Sequence, residues 1–310
     1  LNNKGVEFSL NAQIIDSSSW KWSVSGNIGV NRNEISDLGL LPADFGCLGE
    51  RVGYYGNSLG DHFGVGHIFL AGEAPGLFYG YVTQGIVQKE DITENGIKYI
   101  KQDGSVGYYQ TVNKTTPVAG DVKYVDRNGD GVVDDNDRDI IGNPNPDFTY
   151  GFQTKVSWKS LSLSASFNGV QGRDILNVGN RYNNTPGTKS NNVTRKAFQN
   201  MWTDENPSNL YPKSTFVVQN MVMDRYVEDG SYLRCSDITL SYVLPAKWTN
   251  KIGIKNTSVY ASVKNAFVIT DYSGYDPEVN SFAFDGLRPG VDMNSYPTPR
   301  SFVFGLNLTF

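Results

Sequence analysis

Strict alternation of apolar and polar residues is what most limits how this chain can fold. From Val6 to Ile14 every even position is apolar (Val6, Phe8, Leu10, Ala12, Ile14) and every odd one is polar. A second run, Trp20 to Ile28, repeats the pattern after Asp16-Ser17-Ser18-Ser19. A period of two puts successive side chains on opposite faces of a strand, so each run predicts a strand with one apolar face. Two such runs on a short polar turn predict a hairpin long enough to cross a bilayer, for which ~9–11 residues suffice. The pattern returns at Phe148–Trp158, Leu161–Phe167, Ile238–Leu244, Val259–Phe267 and Phe302–Phe310. In all, about ten strands are expected.

The polar positions decide which kind of sheet this is. They hold mainly Ser, Asn, Gln, Gly and Thr, with single charges at Glu7, Lys21 and Lys155. A sheet face turned to bulk water would carry more Lys and Glu. Trp20, Trp22, Phe148, Tyr150, Phe152 and Trp158 bunch toward strand ends on the apolar side, as an interfacial girdle does. Charged residues are 19% of the chain and aromatics 13%, against about 25% charged in a typical soluble domain. No stretch approaches ~18 consecutive apolar residues, which excludes a helical span but not a barrel of strands. The expected fold is therefore all-β: a segment of an antiparallel transmembrane β-barrel with long extracellular loops. Even positions of 6–14, 20–28 and 148–158 should face lipid, and Glu7, Lys21 and Lys155 the lumen. The opposite orientation would put Lys in lipid, at ~2–4 kcal/mol each near the midplane. The alternative is a secreted, calcium-braced β-sandwich that binds glycans at a cell surface, its apolar positions packed on a second sheet.

Between the hairpins, residues 33–60 and roughly 70–146 show little sustained period, exceeding the ~12–15 residues usual for loops. Short turns at one end and long loops at the other are the asymmetry of outer-membrane barrels. One helix is predicted around Val193, Ala197, Met201 and Trp202, stopped by Asn206-Pro207. The net charge of −5 argues against binding nucleic acid, since nothing would neutralise phosphates along a groove. The two cysteines, Cys47 and Cys235, make no disulfide framework and are free thiols or one bridge. With no initiator Met and no leader ahead of the first strand, the chain reads as a piece of a longer one.

The sharpest motif is Asp126-Arg127-Asn128-Gly129-Asp130-Gly131-Val132-Val133-Asp134-Asp135-Asn136-Asp137. It matches the register of a calcium loop, with oxygen donors at Asp126, Asn128, Asp130, Asp134 and Asp137 and the turn glycine at Gly131. Val132 would add its backbone carbonyl. Asp137 stands where a helical EF-hand has Glu, and Ile140-Ile141-Gly142-Asn143-Pro144 leaves no exiting helix. The expected role is structural calcium bracing a loop across 126–137.

Other candidates are weaker. His62 and His67 are five apart around glycines, unlike a zinc helix. Asp276 and Glu278 are read as a turn around Pro277 rather than a glycosidase pair. No nucleophile elbow, phosphate loop or dinucleotide fingerprint occurs, and no catalytic residue is assigned; the chain is expected not to be an enzyme.

The last run alternates strictly through Phe302, Phe304, Leu306 and Leu308 to a terminal Phe310, as closing strands of bacterial outer-membrane barrels do. Several blocks then resemble the C-terminal half of the SusC/RagA family of TonB-linked outer-membrane proteins. These are Gly120–Asp126 leading into the acidic loop, Ile141–Phe152, Phe167–Gly172, Asp229–Arg234, Tyr272–Val279 and Tyr296–Arg300, with Asn3–Glu7 resembling a mid-barrel strand start. They span nearly all of residues 1–310 in the family's order. The resemblance implies a 22-stranded barrel filled by an N-terminal plug, in the outer membrane of a Gram-negative bacterium. It implies import of an oligosaccharide or peptide under a SusD-like surface lipoprotein, energised by the TonB complex. The plug, the TonB-contacting segment and the first strands are not in these residues, so the remainder of the barrel must complete the wall. Substrate residues are not carried over, because the family's binding loops vary most.

Overall fold

The computed structural model describes residues 1–39, 47–48, 51–59, 63–185, 192–214, 221–249, 254 and 256–309. Seven long strands form one antiparallel sheet whose spatial order follows the chain. They are β1 (Asn2–Asp16), β2 (Trp20–Glu34), β3 (Phe148–Trp158) and β4 (Leu161–Gln171). β5 (Tyr232–Val243), β6 (Asn256–Thr270) and β7 (Ser301–Thr309) complete the wall. The expected count of about ten is corrected to seven among the described residues, because the other apolar stretches make short strands outside this sheet. The seven runs of alternation each fall on one wall strand. Phe310 lies outside the described residues.

Register joins the alternating positions into one band. Phe8 sits opposite Ile28 and Ile28 opposite Tyr150, while Val156 lies opposite both Trp22 and Leu163. Leu163 then meets Leu240, Leu240 meets Ala261, and Ala261 meets Phe304. Directly paired residues share a face, so the apolar side is continuous from β1 to β7. That side is bare: Phe8 is 62% exposed, Leu163 49% and Phe304 80%. A sandwich would have buried these side chains against a second sheet, so the wall is that of a barrel segment. Glu7 and Lys155 fall on the other face, opposite Gly29 and Ser23. Shallow clefts lined by Asn11, Gln13, Ser23, Ser25, Gln153 and Lys155 open on that side. Bulges interrupt the expected alternation: one between Gln13 and Ile15 sets Ile15 opposite Trp22, and others lie between Cys235 and Asp237 on β5 and between Lys264 and Phe267 on β6. The extra residue of a bulge shifts the rest of the strand to the other face.

The two ends of the wall differ. At one end the connections are 17–19, 159–160 and 244–255. Trp20 and Trp158 meet there with ring centroids 5.9 Å apart, and the Lys159 ammonium lies 5.3 Å from the Trp158 ring. At the other end are three long loops, 35–147, 172–231 and 271–300.

These loops are not irregular, contrary to the sequence expectation. They carry short strands, such as Gly96–Ile100 paired with Val106–Tyr109 and His67–Leu70 paired with Leu77–Gly80. All three contribute to one hydrophobic core: Tyr99, Tyr109 and Tyr124 from the first, Leu176 and Met223 from the second, Val291 from the third. Strands this short give too few turns of the two-residue period to be read in sequence. The predicted helix is also shorter, Arg195–Asn200, with Thr194 Oγ1 accepting from the Ala197 N–H at 3.1 Å. Met201 is already extended, and Trp202 is held by its N–H to the Tyr211 carbonyl rather than by helical packing. A second helix, Val178–Asn184, has no counterpart in the sequence expectation.

Candidate functional site

The acidic loop sits within the loop body, and its position is set by buried tyrosines beneath it. Tyr99 lies in the core and donates its hydroxyl to the Asp126 carbonyl at 2.7 Å; Tyr81 donates to Asp135 at 3.0 Å. Burying a phenol ring while its hydroxyl finds an acceptor is favourable, and it fixes both ends of the motif. Gly131 at φ +87° allows the turn and lies so close to Gln110 that a Cβ would collide with its Oε1. Val132 and Val133 then pair in parallel with Thr111 and Val112. The chain exits into the strand Asp139–Gly142, in keeping with the absence of an exiting helix.

Every acidic side chain of the motif's ligand register accepts from the loop's own backbone. Asp126 takes the N–H groups of Gly129 and Gly131 at 2.6 and 2.8 Å, and Asp130 that of Val132 at 2.8 Å. Asp134 takes that of Asn136 at 2.9 Å, and Asn128 Oδ1 that of Asp130 at 2.9 Å. Asp137 takes three, from Arg127 at 2.7 Å, Asn128 at 3.2 Å and Asp134 at 2.8 Å. Asp126 and Asp137 are buried, whereas Asn128 and Asp130 are exposed. Burial pushes the Asp137 carboxyl up, and the Asp126 charge adds to this against the three N–H donors. Among the described residues no group of three or more His, Cys, Asp or Glu side chains is placed to hold a metal ion. The donors of the motif are all oxygen, and two of its carboxylates, Asp126 and Asp137, are buried. Its side chains as placed are drawn to N–H groups.

The remaining candidates resolve into structural roles. His62 lies outside the described residues, and His67 is buried with Nε2 2.9 Å from the Pro289 carbonyl. Cys235 is a buried free thiol, and the Cys47 backbone pairs with Val52. Asp276 and Glu278 do come together, but on one guanidinium: Arg234 lies 2.5 Å from Asp276 and its Nε 3.4 Å from Glu278. Burial would raise the Asp276 carboxyl; the Glu278 and Thr298 N–H groups and the Arg234 charge outweigh it and hold it below its ordinary range.

Sequence reasoning missed Arg234 and a second pair on the polar face, Lys264–Asp237 at 2.7 Å, with Ser262 and Thr239 also donating to Asp237. The Asp229–Arg234 and Tyr272–Val279 blocks were the available signal. Nothing in their spacing, across a loop of unknown shape, shows that they meet.

No protein-family model matches the chain. TonB-dependent receptor P26 of Formosa agariphila is 30% identical over 319 residues, covering all of this chain and 29% of that receptor. TonB-dependent receptor SusC of Bacteroides thetaiotaomicron is 31% identical over 319 residues, again covering the whole chain and 26% of the relative. Among solved structures, the RagAB peptide transporter superimposes with a TM-score of 0.67 at 25% identity, over 99% of this chain and 29% of the transporter chain. The chain thus spans under a third of the length of these relatives.

Proposed function

The chain belongs to the SusC/RagA type of TonB-dependent receptor, and on that premise we propose that it forms part of the barrel wall and the extracellular loops of an outer-membrane nutrient importer. The observation that carries the proposal is the bare apolar side of a seven-stranded wall with polar clefts behind it. Such a sheet is stable only where lipid takes the place of a second layer. The cargo class is an oligosaccharide or a peptide. A SusD-like lipoprotein is the proposed lid on the loop side, and the TonB complex the energy source, through parts of the receptor beyond these residues.

A structural calcium ion is proposed at the acidic loop, held by Asp126, Asn128, Asp130, Asp134 and Asp137 with the Val132 carbonyl. It would supply the positive charge that two adjacent buried carboxylates call for, bracing the loop.

The experiment is uptake by cells of the full-length receptor, measured with labelled oligosaccharides and peptides in matched strains with and without TonB. TonB-dependent uptake of one class supports the proposal. Recovery of the receptor from aqueous buffer without detergent, with no uptake, would favour the secreted sandwich.

A further inference from the structure

The third loop leaves β6 and returns to β7, but between them it folds back onto the inner side of the wall. Asn168 pairs with Arg234, and Asn168 lies two residues from Ser166 on β4, on the face that lines the polar clefts. Arg234 therefore points to the polar side. Arg234 is 5% exposed, as is Asp276, and its guanidinium holds Asp276 at 2.5 Å and Glu278 at 3.4 Å. Glu278 also accepts from the Tyr232 hydroxyl at 2.7 Å and from Asn168 Nδ2 at 3.1 Å. Arg173 donates to the Pro277 carbonyl at 2.8 Å. The second oxygen of Asp276 accepts the Thr298 N–H at 3.1 Å, tying the start of the loop to its end. One residue, Tyr275, stays 73% exposed amid these anchors.

We propose that residues 272–279 are a strap fixed to the inner wall, that Arg234 is its positioning residue, and that the strap stays in place while cargo passes. This rests on the importer reading above. Segments that move in function are drawn from regions with few buried contacts. Here motion would separate an ion pair buried while the strap is seated and break the hydrogen bonds of Glu278, Arg173 and Thr298 at the same time. The strap consequently narrows the passage permanently, and any opening step belongs to the other loops or to parts of the receptor beyond these residues.

The test uses the full-length receptor with Cys47 and Cys235 replaced by Ser. Asn168→Cys and Glu278→Cys are bridged in cells by a short bis-methanethiosulfonate reagent, and uptake is compared before and after reduction. Uptake within twofold in the two states is expected; uptake blocked by the bridge and restored by reductant would overturn the fixed strap. The second arm is amide exchange in the purified receptor, which reads the strap whether or not any cargo is transported. Arg234→Met should speed exchange at 272–279 at least tenfold and leave strands 148–171 unchanged, with Arg234→Lys restoring part of the protection. Unchanged exchange at 272–279 would remove Arg234 from this role. Asp276→Asn, equal in shape, serves if Arg234→Met does not assemble. Absence of uptake in the unmodified receptor counts against the importer, and the exchange arm then decides the strap alone.

Discussion

His67 shows how much one buried side chain can do in the loop body. Its Nε2–H donates to the Pro289 carbonyl at 2.9 Å, joining the first long loop to the third. Burial drives its pKa from 6.5 down to about 4, more than the Pro289 bond and Asp285 raise it, and Arg288 lowers it further. A histidine lowered on folding binds its proton more readily in the unfolded chain. Its contribution is therefore complete above pH 6.5 and lost as pH falls toward 4, by about 3 kcal/mol over that range. Acid unfolding of the receptor should lose part of its slope between those pH values in His67→Gln; an identical slope in the variant would assign it to other groups. The acidic loop gives a second prediction at this scale. Calcium at about a hundredfold over its Kd should stabilise the receptor by about 2.7 kcal/mol, and Asp137→Asn should abolish that gain. A thermal midpoint indifferent to calcium and chelator in the unsubstituted receptor would end the proposal.

At the scale of the strand, the two faces predict opposite tolerance to charge. Leu163 lies on the bare apolar side between Val156 and Leu240, and Ser164 on the polar side between Lys155 and Thr239. Leu163→Lys should destabilise the barrel by ~2–4 kcal/mol if it lies near the midplane, and Ser164→Lys by far less. Urea unfolding of the receptor in lipid vesicles measures the difference, and equal losses would mean that the faces are misassigned. The strands themselves were legible because each repeats its period over many residues. Their lengths were not: the run at 20–28 belongs to a strand reaching Glu34. Asn31, Arg32 and Asn33 continue no apolar alternation; the ladder to β1 keeps them extended, and Arg32 also donates to the Pro146 carbonyl and to Asp147. The helix failed for a related reason. A buried Ala197 and a buried Trp202 suggest one helical face, but the backbone turns extended at Met201 and buries Trp202 from another direction.

For the whole molecule, the open edges are decisive. Among the described residues β1 pairs only with β2 and β7 only with β6, so the wall has two unpaired edges. In lipid each unsatisfied backbone group costs several kcal/mol, so both edges must find partners in the rest of the receptor or in another chain. Residues 1–310 expressed alone should give no heat-resistant, closed barrel in detergent by gel mobility; a stable closed species from them would overturn this expectation. Alternation by itself determined the wall and its apolar and polar faces, because a period of two is a local property and lipid rewards it directly; the count of seven strands, against about ten expected, came from the tertiary structure. The acidic register at 126–137 is likewise legible in the sequence, since donor type and spacing are written in adjacent residues, and the proposed calcium rests on it. Only the tertiary structure decided that the three long loops share a core and that Arg234 binds Asp276 across 42 residues. Such contacts depend on which distant segments the loops bring together, and no local pattern encodes that meeting.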